Sequence, residues 1–188
     1  MLDLEERDGV AVIHLHGADH NRLDTALLRR LAAAMGFVGP TRPVVLTGHR
    51  RTFAIGAEVA GTPELLAAQD DALRAVAEHQ APVVTALNGD ALDTGFALAA
   101  AADVRLMERG LIGTVASPRG DAPLSAVGRE LVRTAFARCG VPMPSGALAF
   151  TAAEAETAGF VQRPVRLTCL LDEAVQHARN GMRLPQRV

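Results

Sequence analysis

Two short stretches of this chain are apolar at nearly every position rather than at every second one: Pro43 to Leu46 (PVVL) and Ala81 to Leu87 (APVVTAL). A strand with that pattern needs cover on both faces, which a parallel sheet flanked by helices provides. The first ends at Thr47-Gly48 and the second at Asn88-Gly89, and each is followed by a helix. Thr62-Pro63 is a cap with proline at the first helical position, opening a helix to about Glu78. Thr94 to Ala102 is a helix of small residues able to pack very close to a sheet. Val10 to Leu15 reads as a strand ending at Gly17, and Asp103 to Met107 as another. Leu27, Leu28, Leu31, Ala32 and Met35 recur at helical spacing, with Asp24 as N-cap and Gly36 as the stop. Glu130 to Arg138 reads as helical. The run from Thr151 to Glu154 is a capping box whose short helix stops at Gly159, and Leu170 to Arg179 is a last helix ended by Gly181. Strands alternating with helices give an α/β class with parallel crossovers.

The 188 residues suit a single domain with a real core. A formal net charge of -2, with no Trp or Tyr and no basic stripe, argues against nucleic-acid binding. The longest apolar run, Gly95 to Ala102, is too short to span a membrane, and the acidic N-terminus lacks the apolar segment of a signal peptide. Cys139 and Cys169 lack metal spacing and read as reduced thiols, so the expected location is cytoplasmic. His14 and His16 face solvent or a neighbour, and His49 beside Arg50 and Arg51 has two readings, a solvated turn, which is favoured, and a place near a phosphate.

Two segments say more. Arg51 to Glu58 reads RTFAIGAE directly after a strand, and Ala81 to Leu98 reads APVVTALNGDALDTGFAL, running on to Ala102-Asp103-Val104-Arg105. Together they resemble the two signature blocks of the crotonase (enoyl-CoA hydratase/isomerase) superfamily, F-S-A-G-A-D and K-P-V-I-A-A-V-N-G-x-A-x-G-G-G-x-E-L-A-L-A-C-D-I-R. His20 to Leu28 resembles the family's entry to its first helix, and Phe150 to Val161 its I-S-A-x-E-A-x-x-x-G-L-V element. The resemblance implies a ββα superhelix in one domain with a shortened C-terminal helical part. Residues 1–165 would form the core, and 166–188 a short C-terminal helix and tail.

It also implies a site. Thioester chemistry builds negative charge on the thioester oxygen, and losing one hydrogen-bond donor aimed at such an oxygen costs roughly 3–4 kcal/mol. The family pattern supplies two backbone N–H groups, which fall here on Ala57 and Thr94, the second at a helix start where the dipole helps. By the same carry-over Arg22, Ala54, Ile55, Gly56, Glu58 and Gly95 contact an acyl-CoA or acyl-phosphopantetheine substrate, with Glu58 a local hydrogen-bonding residue. No cofactor is implied beyond the CoA of the substrate, and the family's assemblies imply a homotrimer or hexamer.

The departures bear on chemistry. The glycine triplet reads Asp93-Thr94-Gly95, so side chains stand where backbone is normally bare. Ala97 occupies the first hydratase glutamate position, and the second falls near Ser117-Pro118-Arg119. Hydration needs a base for water and an acid for the α carbon, so ordinary hydratase activity is not expected. Asp93, Asp121 and Asp90 are the candidate replacements; the other reading of Asp121 is a solvated loop carboxylate, and the stronger reading of Asp90 is a turn residue after Asn88-Gly89. Asp93 has two readings: an N-cap accepting from the N–H of Gly95 or Phe96, or a catalytic carboxylate turned into the cleft. An enzyme with a rebuilt acid/base set and a silent thioester-binding or assembly module both follow from this sequence.

Overall fold

The computed structural model describes residues 1–57, 61–107, 109–115, 124–140, 148–162 and 169–181. An antiparallel hairpin, β1 (Leu2–Arg7) and β2 (Val10–Leu15), opens the chain. A one-turn α1 (Ala18–Asn21), β3 (Arg22–Leu23) and α2 (Thr25–Val38) follow. The next units are β4 (Val44–Thr47), β5 (Thr52–Ala57) and α3 (Pro63–Ala77), then β6 (Val83–Leu87), β7 (Asp90–Leu92) and α4 (Thr94–Ala101). They are followed by β8 (Val104–Met107), β9 (Leu111–Thr114) and α5 (Ala126–Cys139), and then by β10 (Leu148–Thr151), α6 (Ala152–Thr157) and α7 (Leu170–Gly181).

Strands are dealt alternately to two sheets, ordered β1-β2-β4-β6-β8 and β10-β9-β7-β5-β3. Apart from the antiparallel edge pairs β1–β2 and β9–β10, all neighbours run parallel. The recurring unit is therefore a strand in the first sheet, a strand in the second and a helix. This is the ββα superhelix expected from the sequence, in a single domain.

Burial on both faces explains the apolar strands. In β4, Val44 and Leu46 pack into the core shared with α2 and α3, while Val45 packs on the other side with Leu170, Ala174, Val175 and Ala178 of α7. The two threonines inside this sheet are satisfied: Thr47 donates to the Ala86 carbonyl at 3.0 Å and Thr85 to the Val104 carbonyl at 3.3 Å. The expected caps are present. Asp24 accepts from the Leu27 N–H at 2.6 Å, Thr62 from Leu65 at 3.2 Å, and Thr151 and Glu154 close their capping box.

One boundary is corrected. Gly36 does not stop α2; the helix runs on to Val38, and Gly39 ends it at φ 79°. Gly36 has open space at its Cβ position and no positive φ, whereas Gly39 takes φ 79° and ψ 158°, a backbone conformation that favours glycine and takes the chain out of the helix. Helix α5 begins earlier than its periodicity suggested, because Ser125 caps it through the Gly128 N–H at 3.1 Å.

Candidate functional site

The two signature segments meet where β5 and β7, paired in parallel with Ala54 opposite Ala91, reach their C-terminal ends. Side chains from outside these strands fix the approach. Asn21, itself buried, donates to the Phe53 carbonyl at 2.5 Å. Asn88 accepts from the Gly48 N–H and donates to the Arg50 carbonyl, both at 3.1 Å, so the turn after β4 is tied to the turn after β6.

Helix α4 then lies directly on β5. A Cβ on Gly95 would stand 2.0 Å from the Ala54 carbonyl oxygen, so only glycine permits this contact. A Cβ on Gly56 would come within 3.1 Å of the Asp93 Cβ and Oδ2. Gly56 and Asp93 therefore face each other. Arg22 pairs with Ile55 across the β3–β5 ladder, and Leu23 with Ala57. The fold thus brings Arg22, Ala54, Ile55, Gly56, Ala57, Asp93, Thr94 and Gly95 into one neighbourhood. Glu58, Asp121 and the segment Ser117-Pro118-Arg119 lie outside the described residues. Asp90, read from the sequence as a turn residue, is instead the first residue of β7, paired with Thr52, and its Oδ1 accepts from the Leu111 N–H at 2.8 Å. Ala97 is fully buried in the core, so the helix offers no carboxylate there.

Asp93 is not the cap that one reading of the sequence expected. It occupies the N-cap position of α4 with no side-chain bond to the helix. Its Oδ1 accepts instead from the Val115 N–H at 3.2 Å, and its own N–H donates to the Gly113 carbonyl at 2.8 Å. The cause is backbone conformation. Asp93 has φ 53° and ψ −110°, whereas a capping residue sits in the extended region, as Asp24 does at −91° and 168°. A non-glycine residue held at such angles costs of order 1–3 kcal/mol, and residues of this kind cluster at functional sites. Asp93 as a whole is 8% exposed.

The first bond inside α4 runs from the Ala97 N–H to the Asp93 carbonyl at 3.0 Å. The amides of Thr94, Gly95 and Phe96 consequently have no partner within the helix, and the residue before them does not cap them. Phe96 turns away into an aromatic cluster with Phe136 and Phe160, at centroid distances of 6.1 and 5.2 Å, and so does not fill the cleft. At the other end of α4, buried Arg105 donates to the Ala102 carbonyl at 2.8 Å and to the Phe160 carbonyl at 2.6 Å, with its guanidinium over the Phe160 ring. Burial lowers its pKa from the usual arginine value.

A recess of about 620 Å³ lined by His20, His49, Arg50, Arg51 and Thr52 opens at the start of β5. It lies five residues, about 16 Å of strand, from Ala57, and forms no part of this junction. Among the described residues no group of three or more His, Cys, Asp or Glu side chains is placed to hold a metal ion.

The sequence from residue 5 to residue 187 matches the family model for enoyl-CoA hydratase/isomerase. The chain belongs to the enoyl-CoA hydratase/isomerase family. Solved members have the same fold. An enoyl-CoA hydratase subunit I from Geobacillus kaustophilus HTA426 is 25% identical with a TM-score of 0.80, over 98% of this chain and 76% of that one. A monofunctional enoyl-CoA isomerase from M. smegmatis is 27% identical with a TM-score of 0.74, over 97% and 84%. A probable enoyl-CoA hydratase/isomerase from Mycobacterium abscessus is 22% identical with a TM-score of 0.75, over 95% and 74%. No curated protein matches the chain. Against the crotonase pattern, the feature that sequence reasoning missed is the hydroxyl of Thr94. The signal was available, since a threonine replaces the middle glycine of the family triplet.

Proposed function

We propose that this protein binds an acyl thioester, carried by CoA or a phosphopantetheine arm, and transfers a proton at the acyl α carbon. In this reading the N–H groups of Ala57 and Thr94 hold the thioester oxygen, and Asp93 carries the proton. The observation that supports it is the conformation of Asp93. A strained, buried carboxylate stands beside three helix-start amides and leaves them uncapped. A capping side chain would be the ordinary way to satisfy those amides, and its absence keeps them for an oxygen of the ligand.

Among the described residues the junction holds one carboxylate, Asp93, and one carboxylate suits a proton shift better than hydration. It removes the α proton, the electron pair moves onto the thioester oxygen facing the amides, and the same carboxyl returns the proton at the α or γ carbon. Atoms and charge balance with no water consumed. Addition of water needs a second group to activate it, and Ala97 supplies none. No cofactor is required beyond the CoA of the substrate, and the working form is a homotrimer or hexamer.

The test is a pair of assays on the full chain: positional isomerisation of 3-hexenoyl-CoA and hydration of crotonyl-CoA. The expected result is measurable isomerisation with hydration at background, and loss of isomerisation in Asp93→Asn with binding kept. Hydration in the ordinary enzyme range of about 1–10³ per second would overturn the single-carboxylate reading. The second reading, a silent thioester-binding or assembly module, draws on the bond between Asp93 and the Val115 N–H, which occupies one carboxylate oxygen. Tight acyl-CoA binding without isomerisation would establish it.

A further inference from the structure

Residue 94 contributes more than its amide. The Thr94 hydroxyl oxygen is buried and has no hydrogen-bond partner, and the residue as a whole is 0% exposed. Buried hydroxyls are nearly always paired, and an orphan marks a place where a water, ion or ligand group belongs. Thr94 is the first residue of α4, and Cα–Cβ bonds on a helix tilt toward its N-terminus. The Cβ that carries the hydroxyl is therefore tilted toward the same end as the uncapped amides. Next to it stands the Asp93 carboxylate, which accepts hydrogen bonds only. The junction offers amide donors, a hydroxyl that both donates and accepts, and a carboxylate.

Building on the thioester reading above, we propose that Thr94 selects acyl groups bearing an oxygen on the carbon next to the thioester carbonyl, the 2-hydroxyacyl thioesters. The hydroxyl of a threonine lies about one hydrogen-bond length from its own amide nitrogen. If that amide holds the carbonyl oxygen, the hydroxyl reaches a substituent on the adjacent carbon and not the chain end. A plain alkyl chain leaves the Thr94 hydroxyl unpaired in the complex. A 2-hydroxyl pairs with it and with Asp93. Sites built to hydrogen-bond a ligand hydroxyl discriminate against the analogue lacking it far more strongly than apolar pockets discriminate by size.

The test compares binding of 2-hydroxybutyryl-CoA and butyryl-CoA by calorimetry to wild type, Thr94→Val and Thr94→Ser. Wild type is expected to prefer the hydroxy compound by about ten-fold or more. Thr94→Val should abolish the preference, chiefly by weakening 2-hydroxybutyryl-CoA, and Thr94→Ser should keep it. The melting temperature of the free protein should not fall in Thr94→Val, because the deleted hydroxyl has no partner to lose. A structural threonine would show the reverse: a lower melting temperature and an unaltered preference. Equal binding of both compounds to wild type, or a preference that survives in Thr94→Val, overturns the proposal while leaving thioester binding intact. Failure of wild type to bind either compound removes the thioester reading as well. Should Thr94→Val not fold, Thr94→Ala against Thr94→Ser decides the same question.

Discussion

At the residue scale the junction is governed by how close backbone can come to backbone. Gly95 allows the first turn of α4 to rest on the Ala54 carbonyl, and a methyl group there would meet that oxygen at 2.0 Å. The oxygen belongs to a central strand and cannot move independently, so the helix must lift. Gly95→Ala is expected to lower stability by about 3 kcal/mol or more, at the upper end of overpacking effects. Chemical denaturation measures it, and a loss under about 1 kcal/mol would mean that α4 is not seated on β5 as described. Gly36 is the internal control. It sits inside α2 with nothing near its Cβ position, and Gly36→Ala should stabilise by roughly 0.5–1 kcal/mol through helix propensity. The two glycines look alike in sequence and differ entirely in what surrounds them.

Asp93 and Arg105 show, at the scale of the element, that α4 is held at both ends by unlike means. Arg105 satisfies carbonyls at the C-terminal end, while the N-terminal end is left open beside a strained carboxylate. The hairpin β1–β2 is pinned differently, by two histidine–carboxylate pairs: His14 to Glu5 at 3.2 Å and His16 to Asp3 at 3.1 Å. The hydrogen bond from His14, with Arg7 close by, holds the Glu5 carboxyl below its ordinary 4.5. Burial, outweighing the attraction of Asp3, holds His16 below its ordinary 6.5. Both groups therefore bind protons more readily in the unfolded chain, so both contributions favour the fold at high pH and are lost as pH falls. His16 begins to destabilise as pH drops below about 6.5, and Glu5 below about 4.5. Melting temperature should thus decline in two stages from neutral to acid pH, and His16→Gln should remove the upper stage. A single decline confined below pH 4.5 in the wild type would contradict the role given to His16.

These elements also show what could be read in advance. The helices and the apolar strands of the first sheet were legible because burial on two faces and capping side chains leave marks in a handful of adjacent residues. The strands of the second sheet were not. Strand β3 has two residues and β7 three, too few to carry a period, and their pairing is fixed by distant partners such as Asn21 at Phe53 and Asn88 at Gly48. The meeting of Gly56 with Asp93 followed from the resemblance of the two blocks and not from periodicity. The open cap at Asp93 could not be read, because aspartate before a helix normally signals a cap, and only the backbone angles show otherwise.

Self-association belongs to the scale of the whole molecule. Phe37 near the end of α2 is 81% exposed; Leu111, the first residue of β9, is 39% exposed, and Val115, which follows the strand and gives its N–H to Asp93, is 37% exposed. Scattered exposed apolar residues are ordinary, but Val115 bonds the residue proposed to carry the proton, where access of water matters most. A neighbouring subunit placed there would exclude solvent from the Asp93 carboxylate and bury Leu111 and Val115 in one step. Closed symmetric assemblies are the usual way for like chains to cover such surface. The expected mass in solution is that of a trimer, three times 19.7 kDa or about 59 kDa, measured by light scattering across micromolar concentrations. Val115→Glu should shift that mass toward the monomer, because it sets a charge in the covered surface while leaving the backbone N–H that bonds Asp93. Loss of isomerisation in step with the trimer would tie assembly to the site, and a wild-type mass of 19.7 kDa at every concentration would show that each chain works alone.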